Sequence, residues 1–317
     1  MVTTRPHIAP FGTAPDGTAV EVVTLARAGT TVQVMTWGAT LLDYRIEGVD
    51  FSLILGSARF EDYLGPLCHY GAIVGPVANR IAGGQMPVAG RLLTLDRNEA
   101  GRTTLHGGSA ALDARNWRVS AVEEDSVTLA LTHPDGCGGF PGPVEITARY
   151  GLDASGALIL DITAETARET CFAPAFHGYW TLDGRADLSG HRLTVAAESY
   201  LPVDADKIPA GGPAPVAGTV FDHRQPRPPA ATLDHNFCLR PARGPLAPAC
   251  LFETDRLRLA VETTEPGVQV YTGQQHGIAL EPQVWPDSPN RPDFPSAGLR
   301  PGETYRQTSR FAVTHKT

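Results

Sequence analysis

The sequence is sparing with cysteine: five in 317 residues (Cys68, Cys137, Cys171, Cys238, Cys250), odd in number and without a C-x-x-C pair. This argues against a disulfide framework and fits a reducing compartment. None sits in an identifiable electropositive setting, so each reads as an incidental or buried thiol rather than a nucleophile. Basic residues are in deficit too, with 26 Lys+Arg against 34 Asp+Glu for a formal charge of −8, and no basic run of five or six occurs. A nucleic acid or an anionic membrane surface is therefore a poor partner. No stretch approaches the roughly 18 uninterrupted apolar residues of a membrane span, and Met1-Val2-Thr3-Thr4-Arg5-Pro6-His7 lacks an apolar h-region. The expectation is a soluble cytoplasmic protein, monomer or homodimer, with a small-molecule ligand.

Long helical patterns and fixed repeats are also missing. In their place short β-rich runs recur: Val20 to Leu25, Thr31 to Met35, Thr40 to Arg45, Trp117 to Glu123, Val127 to Leu131, Val144 to Tyr150, Leu158 to Thr163, Leu193 to Ala197, Leu257 to Thr263 and Val268 to Tyr271. Turn signals such as Asp16-Gly17, Asp135-Gly136, Ser155-Gly156, Asp183-Gly184 and Pro266-Gly267 separate them. Only Ala58 to Leu64 and Ala110 to Asn116 look helical. This pattern predicts an all-β sandwich or barrel over a βαβ sheet or propeller. The Pro/Gly-rich stretch Ile208 to Gly218 reads as a surface loop within one domain over residues 1–317, because β-patterned segments continue on both sides.

Functional side chains collect in five places: Asn79-Arg80 within Gly75 to Gly84, Leu105-His106-Gly107-Gly108, Phe176-His177-Gly178-Tyr179-Trp180, Leu233-Asp234-His235-Asn236-Phe237, and Tyr271-Thr272-Gly273 followed by Leu280-Glu281-Pro282-Gln283 and Trp285-Pro286-Asp287. Glu281 ends the apolar run Ile278-Ala279-Leu280. A carboxylate there must reach solvent, find a partner or shift its pKa, and the last is what a general base needs.

Taken in order, with Asp135-Gly136 leading to Gly139-Phe140-Pro141-Gly142, these segments resemble the aldose 1-epimerase (galactose mutarotase) family. The resemblance runs from about Gly38 to Glu303. It implies a single large β-sandwich with few short helices, an open cleft for an aldose sugar, and a cofactor-free isomerisation that interconverts α and β anomers. On the matching residues it implies Glu281 as general base and His177 as general acid. Asn79, Arg80, His106, Asp234 and Gln269 match residues that hold sugar hydroxyls or flank the reacting centre.

The chemistry asks for the same residue types. Opening a hemiacetal needs a base and an acid on opposite sides of one C–O bond, each worth roughly 10²–10⁴-fold when positioned. A carboxylate and an imidazole supply them. Sugar hydroxyls need fixed donors and acceptors, which Asp, Asn, Gln, His and Arg provide. Tyr179 or Trp180 reads equally well as a stacking platform for the ring or as a core aromatic.

Two departures from the family pattern stand out. Phe176 and Gly178 replace polar neighbours of His177, and Gly75-Pro76 replaces a Gly-Arg. The stretch from Gly273 to Glu281 is also short. Competing readings are a zinc site, although no H-x-H or H-E-x-x-H spacing occurs; a non-catalytic carbohydrate-binding protein, which would not need His177 and Glu281 together; and a glycoside hydrolase pairing Glu281 with Asp234. A sugar-phosphate mutarotase would require several converging basic groups, whereas only Arg80 lies in a matched segment.

Overall fold

The computed structural model describes residues 6–316 except 186 and 275. Strict alternation drives the strands. In Leu158–Thr166 the side chains of Leu158, Leu160, Ile162 and Ala164 are buried while those between them are partly exposed, so one face lies on a core and the other faces out. Eight strands make one antiparallel sheet in the order Arg118–Glu123, Ser126–His133, Val144–Leu152, Leu158–Thr166, Tyr305–His315, Leu257–Thr263, Ala247–Glu253 and Arg192–Val195. A four-stranded sheet is built from His7–Thr13, Ala19–Arg27, Thr30–Met35 and Thr40–Ile46. A six-stranded sheet runs Tyr179–Trp180, Ile278–Gln283, Gly267–Tyr271, Asp234–Cys238, Ser199–Tyr200 and Ala214–Pro215.

One hydrophobic cluster joins all three sheets. Leu129, Tyr150, Leu160 and Phe311 of the largest sheet share it with Val32 and Tyr44 of the four-stranded sheet and with Phe237, Val270 and Leu280 of the six-stranded one. Each fully buried Val, Leu or Phe is worth about 1.5–3 kcal/mol. Two buried tyrosines fasten the layers with polar tips: Tyr150 donates to the carbonyl of Ala39 at 2.6 Å, and Tyr44 to that of Phe311 at 3.4 Å. The result is the all-β sandwich that the strand pattern predicts.

Three details differ from the sequence expectation. The two helical stretches are only short 3₁₀ segments, Phe60–Leu64 in the first and Gly108–Ala110 with Leu112–Ala114 at the second. Phe60 and Tyr63 are both buried beside Trp37 and Leu42, and their spacing of three matches the three-residue 3₁₀ turn. The loop from Ile208 to Gly218 contains the short strand Ala214–Pro215, which closes the edge of the six-stranded sheet against Ser199–Tyr200. The central strand Tyr305–His315 carries Gln307 and Ser309 on its buried face, which hides its apolar alternation. Both are satisfied: Gln307 donates to the Pro282 carbonyl at 3.0 Å, and the Ser309 hydroxyl lies 3.0 Å from that of Thr263.

Candidate active site

The six-stranded sheet has a second face, turned away from the core. In Ile278–Gln283 the side chains of Ile278 and Leu280 enter the core, so Ala279 and Glu281 point the other way. Register then decides their neighbours. Glu281 lies opposite Gln269, and Tyr271 lies opposite both Ala279 and Asp234. The Gln269 side chain reaches diagonally to Asp234 and donates to Oδ1 at 2.7 Å.

His177 lies in the two-residue link between the short strands Ala175–Phe176 and Tyr179–Trp180, and its side is set by the residue before it. Phe176 packs edge-on against Phe311 in the core, with ring centroids 5.2 Å apart, which turns His177 to the cleft. Trp180 is a core residue stacked on Phe311, whereas Tyr179 lines the cleft with its ring centroid 5.1 Å from that of His177. The two departures beside His177 are linked. A Cβ at position 178 would stand 2.5 Å from the Phe176 ring, so the phenylalanine requires the glycine. Nε2 of His177 lies 3.5 Å from Oε1 of Glu281, with both side chains almost wholly buried.

The Asn-Arg and Leu-His-Gly-Gly turns hold each other. The Asn79 N–H donates to Nδ1 of His106 at 3.1 Å, and the His106 N–H donates to the Asn79 carbonyl at 3.0 Å. Both residues are in the left-handed backbone region, with φ of 61° and 51°, a strained state that reciprocal bonding sustains at functional positions. Gly107 lets the turns approach, since a Cβ there would lie 2.3 Å from the Gly75 carbonyl oxygen. Because Nδ1 of His106 accepts, the neutral ring carries its proton on Nε2 as a donor. Burial, followed by the charges of His69, His177 and Arg80, pushes the His106 pKa well down and keeps the ring neutral.

Arg80 makes a two-pronged contact with Glu99, Nε to Oε2 at 2.7 Å and Nη2 to Oε1 at 2.8 Å, and its Nη1 is 3.8 Å from Asp234. Asp287 braces the turn from behind: its N–H donates to the Arg80 carbonyl at 3.1 Å, and its Oδ1 accepts from the Ala82 N–H at 3.0 Å. Asn290 donates to the same oxygen at 2.7 Å. The turn Pro286-Asp287-Ser288-Pro289-Asn290 is thus a buttress for Asn79-Arg80.

All seven residues singled out in the sequence, Asn79, Arg80, His106, His177, Asp234, Gln269 and Glu281, line one open cleft of about 200 Å³. His69, Leu105, Tyr179, Tyr271 and Gln274 complete its wall. Tyr271 was legible as the residue two after Gln269 on one strand. His69 was not singled out, and its only sequence signal is its place shortly before the Asn-Arg turn. His235 points elsewhere, packing against the ring of Phe221 and, farther off, that of Tyr200. A larger cavity of about 260 Å³ near Phe51, Asp183, Arg185 and Arg256 has no histidine in its lining.

Electrostatics separate the two central groups. Burial, reinforced by Asp234, raises the Glu281 pKa well above its ordinary value, against the opposing charges of His69 and Arg80. Burial and the His69 charge lower that of His177 to about 3. Glu281 Oε2, Gln269 Oε1 and His177 Nδ1 are buried without a hydrogen-bond partner among the described residues. Buried polar atoms of this kind are costly unless matched, and a polyhydroxylated ligand can match them. Among the described residues no group of three or more His, Cys, Asp or Glu side chains is arranged to hold a metal ion, and no helix is long and apolar enough to cross a membrane.

Comparison with known proteins agrees with this geometry. The family model for aldose 1-epimerase matches residues 21–312. Galactose mutarotase of Rattus norvegicus is 36% identical, over 95% of this chain and 96% of the relative. Aldose 1-epimerase of Escherichia coli (strain K12) is 34% identical, over 94% of this chain and 96% of the relative. A galactose 1-epimerase structure from Lactobacillus acidophilus superposes with a TM-score of 0.86 at 28% identity, covering 99% of each chain. A GalM/aldose epimerase homologue from C. elegans superposes with a TM-score of 0.88 at 25% identity, covering 94% of this chain and all of the other. With the family model spanning nearly the whole sequence and relatives aligned end to end, this chain belongs to the aldose 1-epimerase family.

Proposed function

We propose that this protein is an aldose 1-epimerase (mutarotase) that interconverts the α and β anomers of a free aldose, with Glu281 and His177 as its acid–base pair, and that it works in the cytoplasm. The observation that carries the reading is the 3.5 Å approach of these two buried side chains in a cleft otherwise lined with hydroxyl-binding groups.

Glu281 takes the proton of the anomeric hydroxyl while the C1=O1 double bond forms. The bond from C1 to the ring oxygen breaks, its electron pair stays on that oxygen, and Nε2 of His177 supplies the proton. Rotation about C1–C2 presents the other face of the aldehyde, and reclosure returns both protons. Positioned proton transfer of each kind contributes roughly 10²–10⁴-fold. The pair therefore carries one mobile proton. In the free cleft burial favours the uncharged arrangement, with the proton on Glu281 and His177 neutral. That is also the arrangement that follows ring opening, so the protein stabilises the state in which the open aldehyde exists. Arg80 and His69 draw Glu281 back toward its carboxylate.

Asp234 and Gln269 supply acceptors, while Asn79, Arg80 and Nε2 of His106 supply donors for the sugar hydroxyls. The Tyr179 ring offers an apolar face. Among the described residues that line the cleft Arg80 is the only lysine or arginine, its guanidinium is already engaged by Glu99, and Lys207 at the edge lies 3.9 Å from Asp234. This favours a free sugar over a sugar phosphate.

The test is polarimetry on freshly dissolved α-galactose, α-glucose, α-xylose, α-arabinose and α-fucose, with a chelator present throughout. Mutarotation of at least one sugar is expected to accelerate in proportion to enzyme. No acceleration with any of them contradicts the reading.

A further inference from the structure

The cleft holds a third histidine that the acid–base pair does not use. Nδ1 of His69 lies 2.8 Å from Oδ2 of Asp113, a carboxylate only 3% exposed. The His69 ring centroid is 5.9 Å from that of His177 and 4.9 Å from that of His106. A buried carboxylate hydrogen-bonded to one ring nitrogen favours the protonated imidazole. Asp113 comes from the 3₁₀ turn Leu112–Ala114, so this pair joins the wall of the cleft to the segment after the Leu-His-Gly-Gly turn.

The titratable groups around His69 are Asp113, the neighbouring Cys68, and His106 and His177 across the cleft, with Glu281 within reach of its charge. Burial opposes protonation of His69, but the hydrogen bonds and charges of Asp113 and Cys68 outweigh it and lift its pKa to about 10. The ring is thus a cation across the neutral range. It repels a proton on His177 and attracts the carboxylate form of Glu281.

We propose that the Asp113–His69 pair is a positioning device for ring opening: a fixed positive charge beside His177 that drives the His177 proton onto the ring oxygen of the sugar. His69 acts through His177 and is a positioning residue rather than a catalytic one. The proposal rests on the acid–base roles given above for Glu281 and His177.

The experiment compares the pH dependence of kcat/KM, which reports ionisations of the free enzyme, in the unmodified protein, His69→Gln, Asp113→Asn and His69→Arg. The first substitution removes the charge, and the second lets His69 lose its proton near its ordinary value. In His69→Gln the acidic limb is expected to move up by roughly one to two pH units, the effect of a unit charge about 6 Å away at an effective dielectric near 20. In Asp113→Asn the ring is still protonated at the pH of that limb, so the limb stays low and the loss of rate sets in only above about pH 6.5. On the plateau kcat falls about tenfold, the equivalent of one such unit of acid strength. His69→Arg restores a charge without a titrating ring and keeps the limb low. A loss uniform across pH in both His69→Gln and Asp113→Asn, with the limb of His69→Gln unmoved, overturns the proposal and leaves His69 a scaffold residue. Glu281→Gln separates the two claims: an inactive Glu281→Gln with an unmoved limb in His69→Gln fails this proposal alone, whereas an active Glu281→Gln fails the acid–base reading beneath it.

Discussion

Nε2 of His177 stands 3.5 Å from Oε1 of Glu281, and the two side chains are 7% and 2% exposed. A pair so close and so dry titrates as a unit. Two protons on it leave no base, and none leaves no acid, so only the one-proton state works.

Activity is therefore expected to be broad in pH. Burial lowers His177, so the second proton binds only well below the ordinary histidine value of about 6.5. Burial raises Glu281, so the last proton leaves well above the ordinary carboxylate range. The profile of kcat/KM, corrected for spontaneous mutarotation, should stay flat through the ordinary histidine value of about 6.5, with its acidic limb below about pH 5. An acidic limb centred near 6.5 would show an unperturbed histidine and contradict this account of the pair.

Asp234 is expected to serve binding rather than proton transfer. It accepts from Gln269 and lies 3.8 Å from Arg80 and 3.9 Å from Lys207. Asp234→Asn keeps an acceptor for Gln269 but loses the charged one. A charge-assisted hydrogen bond shared by ground state and transition state is worth about 1.5–3 kcal/mol, so KM should rise roughly ten- to hundredfold with kcat nearly unchanged. A collapse of kcat at constant KM would move Asp234 into the chemistry.

Much of this site is legible in the sequence because strand alternation fixes sides. Glu281 after Ile278-Ala279-Leu280, and Gln269 two residues before Tyr271, fall on one face by period two alone. What alternation cannot give is which loop stands over that face. The His69–Asp113 contact spans 44 residues and joins a connection to a 3₁₀ turn, neither of which has a periodic signal. The strand Tyr305–His315 stayed hidden for a different reason: buried Gln307 and Ser309 find partners that only the assembled sandwich provides. Gly178 is likewise unreadable alone, since the Phe176 ring that excludes a Cβ there becomes its neighbour through the fold.

Substrate charge gives a further test. With one arginine in the cleft wall, already paired with Glu99, kcat/KM for glucose should exceed that for glucose 6-phosphate at least tenfold, since an unmatched phosphate brings negative charge toward Glu281 and Asp234. A preference for the phosphate would show a basic subsite outside this cleft and promote the sugar-phosphate reading.

The most direct measurement is polarimetric kcat for Glu281→Gln, beside His177→Asn and the double variant. The amide keeps the shape of the carboxylate and cannot accept the proton. Each single variant is expected to lose roughly 10²–10⁴-fold in kcat, and the double variant little more, because the two proton transfers act as one step. Sugar binding should survive in all three through Arg80, His106 and Asp234. Retention of most of the rate by Glu281→Gln would contradict the acid–base pair and leave the cleft a carbohydrate-binding site.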